Sequence, residues 1–370
     1  MRIAGKHEVA DVFRLLGDDA ENMGFIVHQL KTLRAIKQCR TAALGGHIDA
    51  CTDCGSIQIS YNSCRNRHCP KCQGHKTTEW IEKREQDLLP TTYYHVVFTL
   101  PSELNSLCMH QPKIVYDCLF ASAWQTLLEF GNNKNIQLGM VSVLHTWGSN
   151  LSLHPHLHCI VPGGGVDKNN LFKTVDVNGK FLFSVKALSK VFSAKMVSHL
   201  RKNKINDPSL FDLLFKKDWV VYAKRPFGNV STVIKYLARY THKVAIGNSR
   251  IKNVNKAGVI FDYKDYKNNG IKKEMTLSLQ EFTRRFAQHI LPTRFIRIRH
   301  YGILSSTWKR EKLKALQAQL KIIIPPKTRI TIQQKCNCCK NGTMVTITIF
   351  DNRGPPHNYL LTNTKAACVV

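Results

Sequence analysis

The chain has 370 residues, of which 43% are hydrophobic and 21% charged, so it is long enough to bury the cores of more than one domain. Lys and Arg number 54 against 25 Asp and Glu, which gives a formal net charge of +29. A charge of this size favours a polyanionic partner, most often nucleic acid, and argues against a free-standing enzyme for small neutral substrates. No apolar run is long enough for a membrane span and the first residues lack a signal-peptide core, so we expect a cytoplasmic protein.

Hydrophobic periodicity predicts helices alternating with strands. Apolar residues three and four apart predict helical segments within 8–37, and a charged helix over 76–90 ends at Pro90. β-branched and aromatic residues predict a buried strand over 93–100. The later predicted elements are an amphipathic helix over 112–130, a hairpin of strands over 140–147 and 156–162, a strand over 219–224, a helix over 229–245, a β-rich piece over about 249–278 and a helix over EFTRRFAQHI.

Cysteine and histidine are concentrated between residues 39 and 75, where helical or strand periodicity is weak. Two CxxC pairs stand there, at the separation that zinc modules use. The first is Cys51 with Cys54, and the second is Cys69 with Cys72. Two thiolates of one CxxC can reach one ion, and Zn²⁺ takes four ligands in a tetrahedron. These four cysteines are therefore predicted to hold a structural zinc ion, which leaves no open coordination position for catalysis.

The remaining ligand-type residues of this region could hold a second ion in a cross-braced arrangement. They are Cys39, His47, Cys64 and His68. In the alternative interpretation the two cysteines are buried thiols and the two histidines contact phosphate or solvent. A lone CxxC near the C-terminus, Cys336 with Cys339, cannot fill a tetrahedron, so we interpret it as a turn or as half of a site.

Three histidines alternate along the second strand of the predicted hairpin, in the sequence HPHLH. Side chains two apart share a face of a strand, so His156 and His158 point the same way and Leu157 points into the core. Two imidazoles on one face are ready ligands for a divalent metal. Pro155 is expected to break the strand beside His154. The alternative is a pair of surface histidines on an edge strand.

The predicted helix over 229–245 carries two tyrosines four residues apart, Tyr236 and Tyr240, which share one helix face. Lys243 lies three residues further on and shares that face. A tyrosine hydroxyl is a poor nucleophile unless a cation or a metal assists it. The alternative is an amphipathic helix with two half-buried tyrosines.

An HLH strand followed by a helix with YxxxY resembles the HUH nucleases. The surrounding sequence resembles, more narrowly, the two-tyrosine rolling-circle transposases of insertion sequences, the IS91-like family. The resemblance covers about residues 8–345, with the motifs in the same order. The stretches that carry it are CRTAALGGH (39–47), SCRNRHCPKCQ (63–73), HVVFTLP (95–101), HPHLHCIVPGGG (154–165), YLARYTHKVAI (236–246) and RIRHYGIL (297–304).

This resemblance implies roles for the motif residues. His156 and His158 would bind a catalytic Mg²⁺ or Mn²⁺, and the N-terminal cysteines would be the family's zinc domain. Tyr236 and Tyr240 would be the nucleophiles, with Lys243 assisting. For the third metal ligand we rank His95 first, because a neighbouring strand could present it across the sheet. The two alternatives are His154 and Asn248.

The implied activity is DNA transposition, in which single-stranded DNA is nicked and rejoined through a 5′-phosphotyrosine intermediate. Its partners would be single-stranded DNA at transposon ends and target DNA, with no membrane, and its place would be the nucleoid. Three alternatives remain: a plasmid replication initiator or relaxase with the same chemistry, a non-catalytic zinc-finger DNA-binding protein, and an RNA-binding protein. The basic residues expected on DNA are Arg40, Arg65, Arg67, Arg239, Arg284, Arg285, Arg297 and Arg299.

The order of elements predicts an α+β fold: an antiparallel sheet with helices on one face. The resemblance implies that this is the ferredoxin-like or RRM-like HUH sheet, joined to a small N-terminal zinc-binding module and a basic C-terminal region. The predicted domains are 1–90, helical and zinc-binding; 91–248, catalytic, with an insertion at about 165–217; 249–350, basic β/α; and a tail at 351–370.

Overall fold

The computed structural model describes residues 7–73, 81, 87, 89, 91–175, 182–227, 240–321 and 334–356. Over these ranges no helix combines the length and the apolar character needed to cross a bilayer. The strands are β1 (Gly46–Cys51), β2 (Ile57–Tyr61), β3 (Tyr93–Thr99), β4 (Gly139–Trp147), β5 (Leu153–Pro162), β6 (Gly164–Val166), β7 (Phe172–Thr174), β8 (Val221–Phe227), β9 (Ile251–Asn255), β10 (Gly258–Asp265), β11 (Ile271–Leu277), β12 (Ile298–Gly302) and β13 (Met344–Phe350).

Four of the eight described α-helices are preceded by a residue whose side chain caps the N-terminus. Asp207, Ser278 and Ser305 each accept a hydrogen bond from a backbone N–H of the first turn, which satisfies a donor that has no partner inside the helix. The helices are α1 (Val9–Leu16), α2 (Val27–Gln38), α3 (Asn105–His110), α4 (Pro112–Asn132), α5 (Val185–Lys202), α6 (Pro208–Lys216), α7 (Leu279–Ala287) and α8 (Ser306–Gln319).

A five-stranded antiparallel sheet lies at the centre, with its strands in the order β12-β4-β5-β3-β8. Four of these strands and two helices follow one another as β3, α4, β4, β5, α5 and β8. This succession is the βαββαβ pattern of the ferredoxin-like fold, with β12 added beside β4. The predicted α+β class with an antiparallel sheet is therefore confirmed.

Both crossover helices cover one face of this sheet. Leu157 on β5 and Phe98 on β3 are fully buried there, against Phe120 on α4 and Phe192 on α5. The rings of Phe98 and Phe192 lie 4.9 Å apart. Helix α5 falls within the predicted insertion at about 165–217, yet its apolar side chains are part of the main core. This part of the range is therefore integral to the layer that supports the sheet.

The opposite face of the sheet carries the polar residues of the hairpin. Residues directly opposite each other in an antiparallel pair share a face. His145 is paired with His156, and Val143 with His158, so both histidines of HLH point away from α4 and α5. Helix α8 covers the other end of this face, where Trp308 packs in one cluster with Ile160.

A strand from late in the described chain joins the N-terminal region. Strand β13 pairs antiparallel with β1, and β1 pairs with β2. Strands β9 to β11 form a further antiparallel sheet. Phe13 on α1 and Phe286 on α7 touch edge to face at 5.3 Å, within one apolar cluster. The N-terminal helices and the segment 249–290 therefore share a core, although the sequence pattern divided them at 90 and 249.

Two local predictions differ from the structure. Pro155 does not break its strand, because β5 begins at Leu153 and continues through the proline. The helix predicted over 229–245 lies largely outside the described residues, but its described end, Tyr240 and Thr241, is helical and the next residue is not. The helix thus ends four residues before the predicted boundary.

Gly302 at the end of β12 should tolerate no side chain. Its φ is +55°, and an added Cβ would lie 1.8 Å from the carbonyl oxygen of Leu138. We expect Gly302→Ala to lower the free energy of unfolding by about 3 kcal/mol, measured by urea denaturation, because clash and backbone strain combine. Gly24→Ala is the control, since Gly24 has φ +71° but no atom within 4 Å of an added Cβ. Equal losses in the two variants would contradict this account.

Candidate metal and tyrosine site

Three histidines of the sheet face one another, with one candidate ligand atom from each within 4.8 Å of the others. We call His145, His156 and His158 the histidine cluster. The pairing of His145 with His156 across β4 and β5 brings two of the rings together. His158 follows His156 on the same face of β5, and their Nε2 atoms lie 3.2 Å apart.

Each ring of the histidine cluster has one nitrogen hydrogen-bonded away from the cluster. His156 donates from Nδ1 to the carbonyl of His154 at 2.6 Å. His145 donates from Nε2 to the carbonyl of Tyr240 at 2.8 Å. The Nδ1 of His158 lies 2.9 Å from the Nε2 of His95. A ring that donates from one nitrogen keeps a lone pair on the other, which is how proteins orient histidine ligands for a metal.

Burial keeps these rings in the uncharged form that binds metals. It lowers the pKa of His156 to about 4, and it lowers the pKa values of His145 and His158 well below the ordinary value. Neighbouring positive charge, including that of Lys243, lowers all three further. The donor set therefore suits a divalent cation near neutral pH.

The structure brings a different third histidine to this site from the one ranked first. His95 lies behind His158, as its hydrogen-bond partner, and is not one of the three that converge. The side chain of His154 is exposed, and Asn248 accepts a hydrogen bond from the backbone N–H of Val9 at 3.1 Å. The third converging residue is His145, from the first strand of the hairpin.

Tyr240 lies directly on the histidine cluster. Its ring centroid is 3.9 Å from that of His158 and 5.7 Å from that of His145. The backbone is fixed as well, because the Tyr240 carbonyl accepts the hydrogen bond from His145. Tyr236, the other predicted nucleophile, is outside the described residues.

A buried arginine holds the end of the helix that carries Tyr240, which we call the tyrosine helix and of which Tyr240 and Thr241 are described. Arg297 is 8% exposed and donates to the carbonyls of Thr241 and Lys243, the latter at 3.1 Å. A cation at the C-terminal end of a helix also interacts favourably with the helix dipole. Removal from water, together with the charges of Arg250 and Lys264, lowers the pKa of Lys243 itself.

Two arginines predicted to contact DNA point into the protein instead. Arg297 is buried, as described, and burial lowers its pKa to about 10. Arg67 is half-buried and donates to three backbone carbonyls, including that of Pro292 at 2.9 Å. Both side chains therefore anchor backbone rather than face a ligand.

The other predicted DNA contacts differ in exposure. Arg40 and Arg65 are exposed on the N-terminal module, and both have positive φ angles. Arg299 is half-buried: it ion-pairs with an aspartate on α4 and lies 4.1 Å from the centroid of a phenylalanine ring. Arg284 and Arg285 on α7 share Glu281 as ion-pair partner. Arg239 lies outside the described residues.

Cysteine thiols converge at two places, in sets that differ from the prediction. The first thiol cluster consists of Cys39, Cys64, Cys69 and Cys72. Sulfur–sulfur distances within it are 3.5 Å between Cys39 and Cys72 and 3.7 Å between Cys64 and Cys72. It lies in the apolar core shared by α1, α2 and α7.

The second thiol cluster consists of Cys51, Cys54, Cys336 and Cys339. The predicted set of Cys51 and Cys54 with Cys69 and Cys72 is therefore not brought together. Nor does the structure join His47 and His68 to a thiol: His47 lies 3.4 Å from the carboxylate of Asp49, and His68 is buried.

Two features of the candidate sites were missed because they depend on which strands the fold places side by side. His145 lies in the sequence VLHTW, where no second ligand-type residue stands nearby to indicate a metal site. Its position on the strand predicted to pair with HLH could, however, have indicated it. The lone CxxC at Cys336 and Cys339 was a second signal, since half of a tetrahedron requires another half.

Comparison with known proteins identifies the family. A family model described as "Transposase zinc-binding domain" matches residues 15–100, and one described as "Putative transposase" matches residues 139–312. The chain is 38% identical over 388 residues to "Putative transposase y4qJ" of Sinorhizobium fredii, covering 94% of this chain and 97% of that protein. It is 27% identical over 319 residues to "Transposase for insertion sequence element IS801" of Pseudomonas savastanoi pv. phaseolicola, covering 81% and 76%.

No solved structure matches the chain. The sheet, the histidine cluster and the thiol clusters, together with these matches, define a transposase with a metal-held N-terminal module. The chain belongs to the IS91-like transposase family. Since the first thiol cluster falls within the matched zinc-binding domain, the family match and the geometry both support structural zinc there.

Proposed function

We propose that this transposase nicks and rejoins single-stranded DNA by metal-assisted tyrosine transesterification. The observation that carries the proposal is the position of Tyr240, whose ring lies 3.9 Å from that of His158 in the histidine cluster. Three uncharged imidazoles with lone pairs available form a divalent-metal site, and a tyrosine beside them is placed for attack on a bound phosphate. Packing of the core alone does not require a tyrosine ring beside three converging histidines.

The proposed chemistry follows from these residues. Mg²⁺ or Mn²⁺ bound by the histidine cluster would polarise the scissile phosphate and orient it. The Tyr240 oxygen forms a bond to phosphorus while the bond from phosphorus to the 3′-oxygen breaks. Tyrosine gives up its proton and the leaving oxygen gains one, so the products are a 5′-phosphotyrosine and a free 3′-hydroxyl.

Because no water is consumed, a 3′-hydroxyl can attack the phosphotyrosine in the reverse direction and rejoin the strand. Tyr236 is proposed as the second nucleophile, which would allow a second strand to be cut while the first remains attached. Lys243 contributes positive charge beside the site, as its effect on the pKa values of the cluster indicates. That charge would offset negative charge on the phosphate.

The proposed partners are single-stranded DNA at the transposon ends and target DNA. The net charge of +29 supplies the attraction, and exposed arginines such as Arg40 and Arg65 supply phosphate contacts on the zinc module. Binding that releases counterions weakens steeply as salt rises. Affinity for single-stranded DNA should fall accordingly between low and physiological salt.

A covalent-capture assay tests the proposal. The purified protein is mixed with single-stranded DNA carrying the ends of its element and with Mn²⁺ or Mg²⁺, and denaturant-resistant adducts are counted. We expect a metal-dependent adduct in the wild type and none in His156→Ala or in the double variant Tyr236→Phe/Tyr240→Phe. Each single tyrosine variant should lose one of the two joining events. Tyr266→Phe is the control, since Tyr266 is 74% exposed and distant from the histidine cluster in the sequence.

Other outcomes identify the alternatives. Tight DNA binding with no adduct at several metals and with authentic ends would indicate a non-catalytic zinc-finger protein. A stronger affinity for RNA than for single-stranded DNA of equal length would indicate an RNA-binding protein. An adduct formed on a plasmid origin but not on element ends would indicate a replication initiator or relaxase.

A further inference from the structure

The C-terminal segment of the described chain is built into the N-terminal module. Strand β13 pairs along the whole length of β1, so that Gly46 stands opposite Phe350 and Cys51 opposite Met344. In an antiparallel pair, the residues that follow one strand meet those that precede the other. Cys54 follows β1, and Cys336 and Cys339 precede β13, so the pairing places two CxxC turns side by side.

The four sulfur atoms of the second thiol cluster have the spacing of a zinc site. Cys51 and Cys339 lie 3.6 Å apart, and Cys54 and Cys336 lie 3.7 Å apart. A tetrahedron with Zn–S bonds of about 2.3 Å places its sulfurs roughly 3.8 Å apart. The four thiols are unbonded to one another, and all lie within 4.8 Å. One cation contacts four sulfurs at this spacing, whereas two disulfides would draw them into separate pairs.

Backbone N–H groups point at three of these sulfurs. The donors are Asp53 to Cys51 at 3.4 Å, Cys338 to Cys336 at 3.3 Å and Gly342 to Cys339 at 3.4 Å. Hydrogen bonds of this kind stabilise the thiolate, which is the form that binds metal. Gly342 also packs on the cluster, because a Cβ there would lie 2.3 Å from the sulfur of Cys51.

We propose that the second thiol cluster binds a second structural Zn²⁺, which fastens the C-terminal strand β13 to the N-terminal module. Two of its ligands, Cys336 and Cys339, lie outside both matched family models, which end at residues 100 and 312. The ion closes a loop that contains the central sheet and the histidine cluster. The site requires ligands from both segments, because neither the turn after β1 nor the turn before β13 supplies four thiols alone.

Cobalt substitution tests this inference without any assay of activity. Thiolate-bound Co²⁺ has a charge-transfer absorption that histidine-bound Co²⁺ lacks, so the signal counts only the thiol clusters. We expect two thiolate-bound Co²⁺ per full-length wild-type chain, and about half of that absorption in Cys336→Ser/Cys339→Ser. Cys336→His should retain the full metal content, because imidazole also binds zinc. Cys108→Ala is the matched control, since Cys108 is a buried thiol outside both clusters.

Alkylation of the wild-type protein tests the inference even if the cysteine variants fail to fold. With zinc present, Cys336 and Cys54 should resist a thiol reagent, and with a strong chelator both should react. A wild-type chain that binds only one thiolate-bound Co²⁺ would overturn the inference. So would free reaction of Cys336 in the zinc-loaded protein, or a disulfide among these four cysteines under reducing conditions. An unchanged cobalt signal in the folded double variant would do so as well.

Discussion

Replacement of His145 by alanine is expected to lower the affinity of the protein for Mn²⁺ by well over about 100-fold and to abolish the DNA adduct. Loss of a group that merely orients a ligand costs roughly 10- to 100-fold in metal affinity, and loss of a ligand costs more. His145 is one of the three histidines that converge, and its Nε2 donates a hydrogen bond to the Tyr240 carbonyl. The variant would therefore lose a proposed metal ligand and, at the same time, the hydrogen bond that holds the backbone of the proposed nucleophile, Tyr240.

Three alanine variants measured side by side by Mn²⁺ titration make this prediction specific. His95→Ala should lose roughly 10- to 100-fold in affinity, because His95 orients the ring of His158 and is not one of the three converging histidines. His154→Ala should bind Mn²⁺ as the wild type does, because it is the backbone carbonyl of His154 that contacts His156. Loss of binding in His95→Ala with retention in His145→Ala would contradict the site described above.

Arg297→Lys is expected to slow adduct formation by about 100-fold while leaving Mn²⁺ affinity unchanged. The planar guanidinium spans two carbonyls at the end of the tyrosine helix, and a lysine ammonium cannot reproduce that fork. Displacement of a reacting group by about 1 Å can cost a factor of about 100 in rate. The measurement is single-turnover capture at saturating DNA, together with hydrogen exchange of the peptide that contains Tyr240–Lys243, which should become faster.

Arg294→Gln is the matched control for this variant. Arg294 is an exposed residue of the same loop, so its replacement removes a charge while Arg297 keeps its hydrogen bonds to Thr241 and Lys243. Its hydrogen exchange over Tyr240–Lys243 should equal that of the wild type. An Arg297→Lys protein with wild-type exchange and wild-type single-turnover rate would show that the arginine does not position Tyr240.

Features that depend on neighbouring residues were predictable from the sequence. The hairpin of β4 and β5 and the helix α4 follow from alternation and periodicity that each segment carries by itself. His156 and His158 share a face for the same local reason. The prediction for Pro155 was wrong because a strand tolerates proline at a bulge, and the register shift between His145 and Trp147 opposite it depends on how β4 pairs with β5.

Features that depend on which residues of paired strands stand opposite each other were not predictable from the sequence. The pairing of His145 with His156 depends on the register of the hairpin, which sets which residues stand opposite each other. The sets of cysteines depend on β13, which returns from the far end of the chain to β1. A CxxC pair shows two ligands of a zinc ion, but the fold chooses the other two.

The burial of Arg297 could not be predicted from the sequence either. Its neighbours in RFIRIRHYG are basic, and the surface of a protein with a net charge of +29 is the expected place for all of them. The carbonyls of Thr241 and Lys243, where the helix ends, accept hydrogen bonds from this one side chain and give it a reason to lie inside. The same consideration separates Arg67, which anchors a loop, from the exposed Arg65 two residues earlier.

Peptide mapping of the captured complex tests the central claim most directly. The wild-type adduct formed with Mn²⁺ is digested with protease and nuclease, and the nucleotide-bearing peptides are sequenced by mass spectrometry. We predict a 5′-phosphate linked to Tyr240, with Tyr236 as the second position when both strands react, and no such peptide from His145→Ala. A nucleotide linked to any other residue, or a 3′-phosphate linkage, would contradict the assignment of this site.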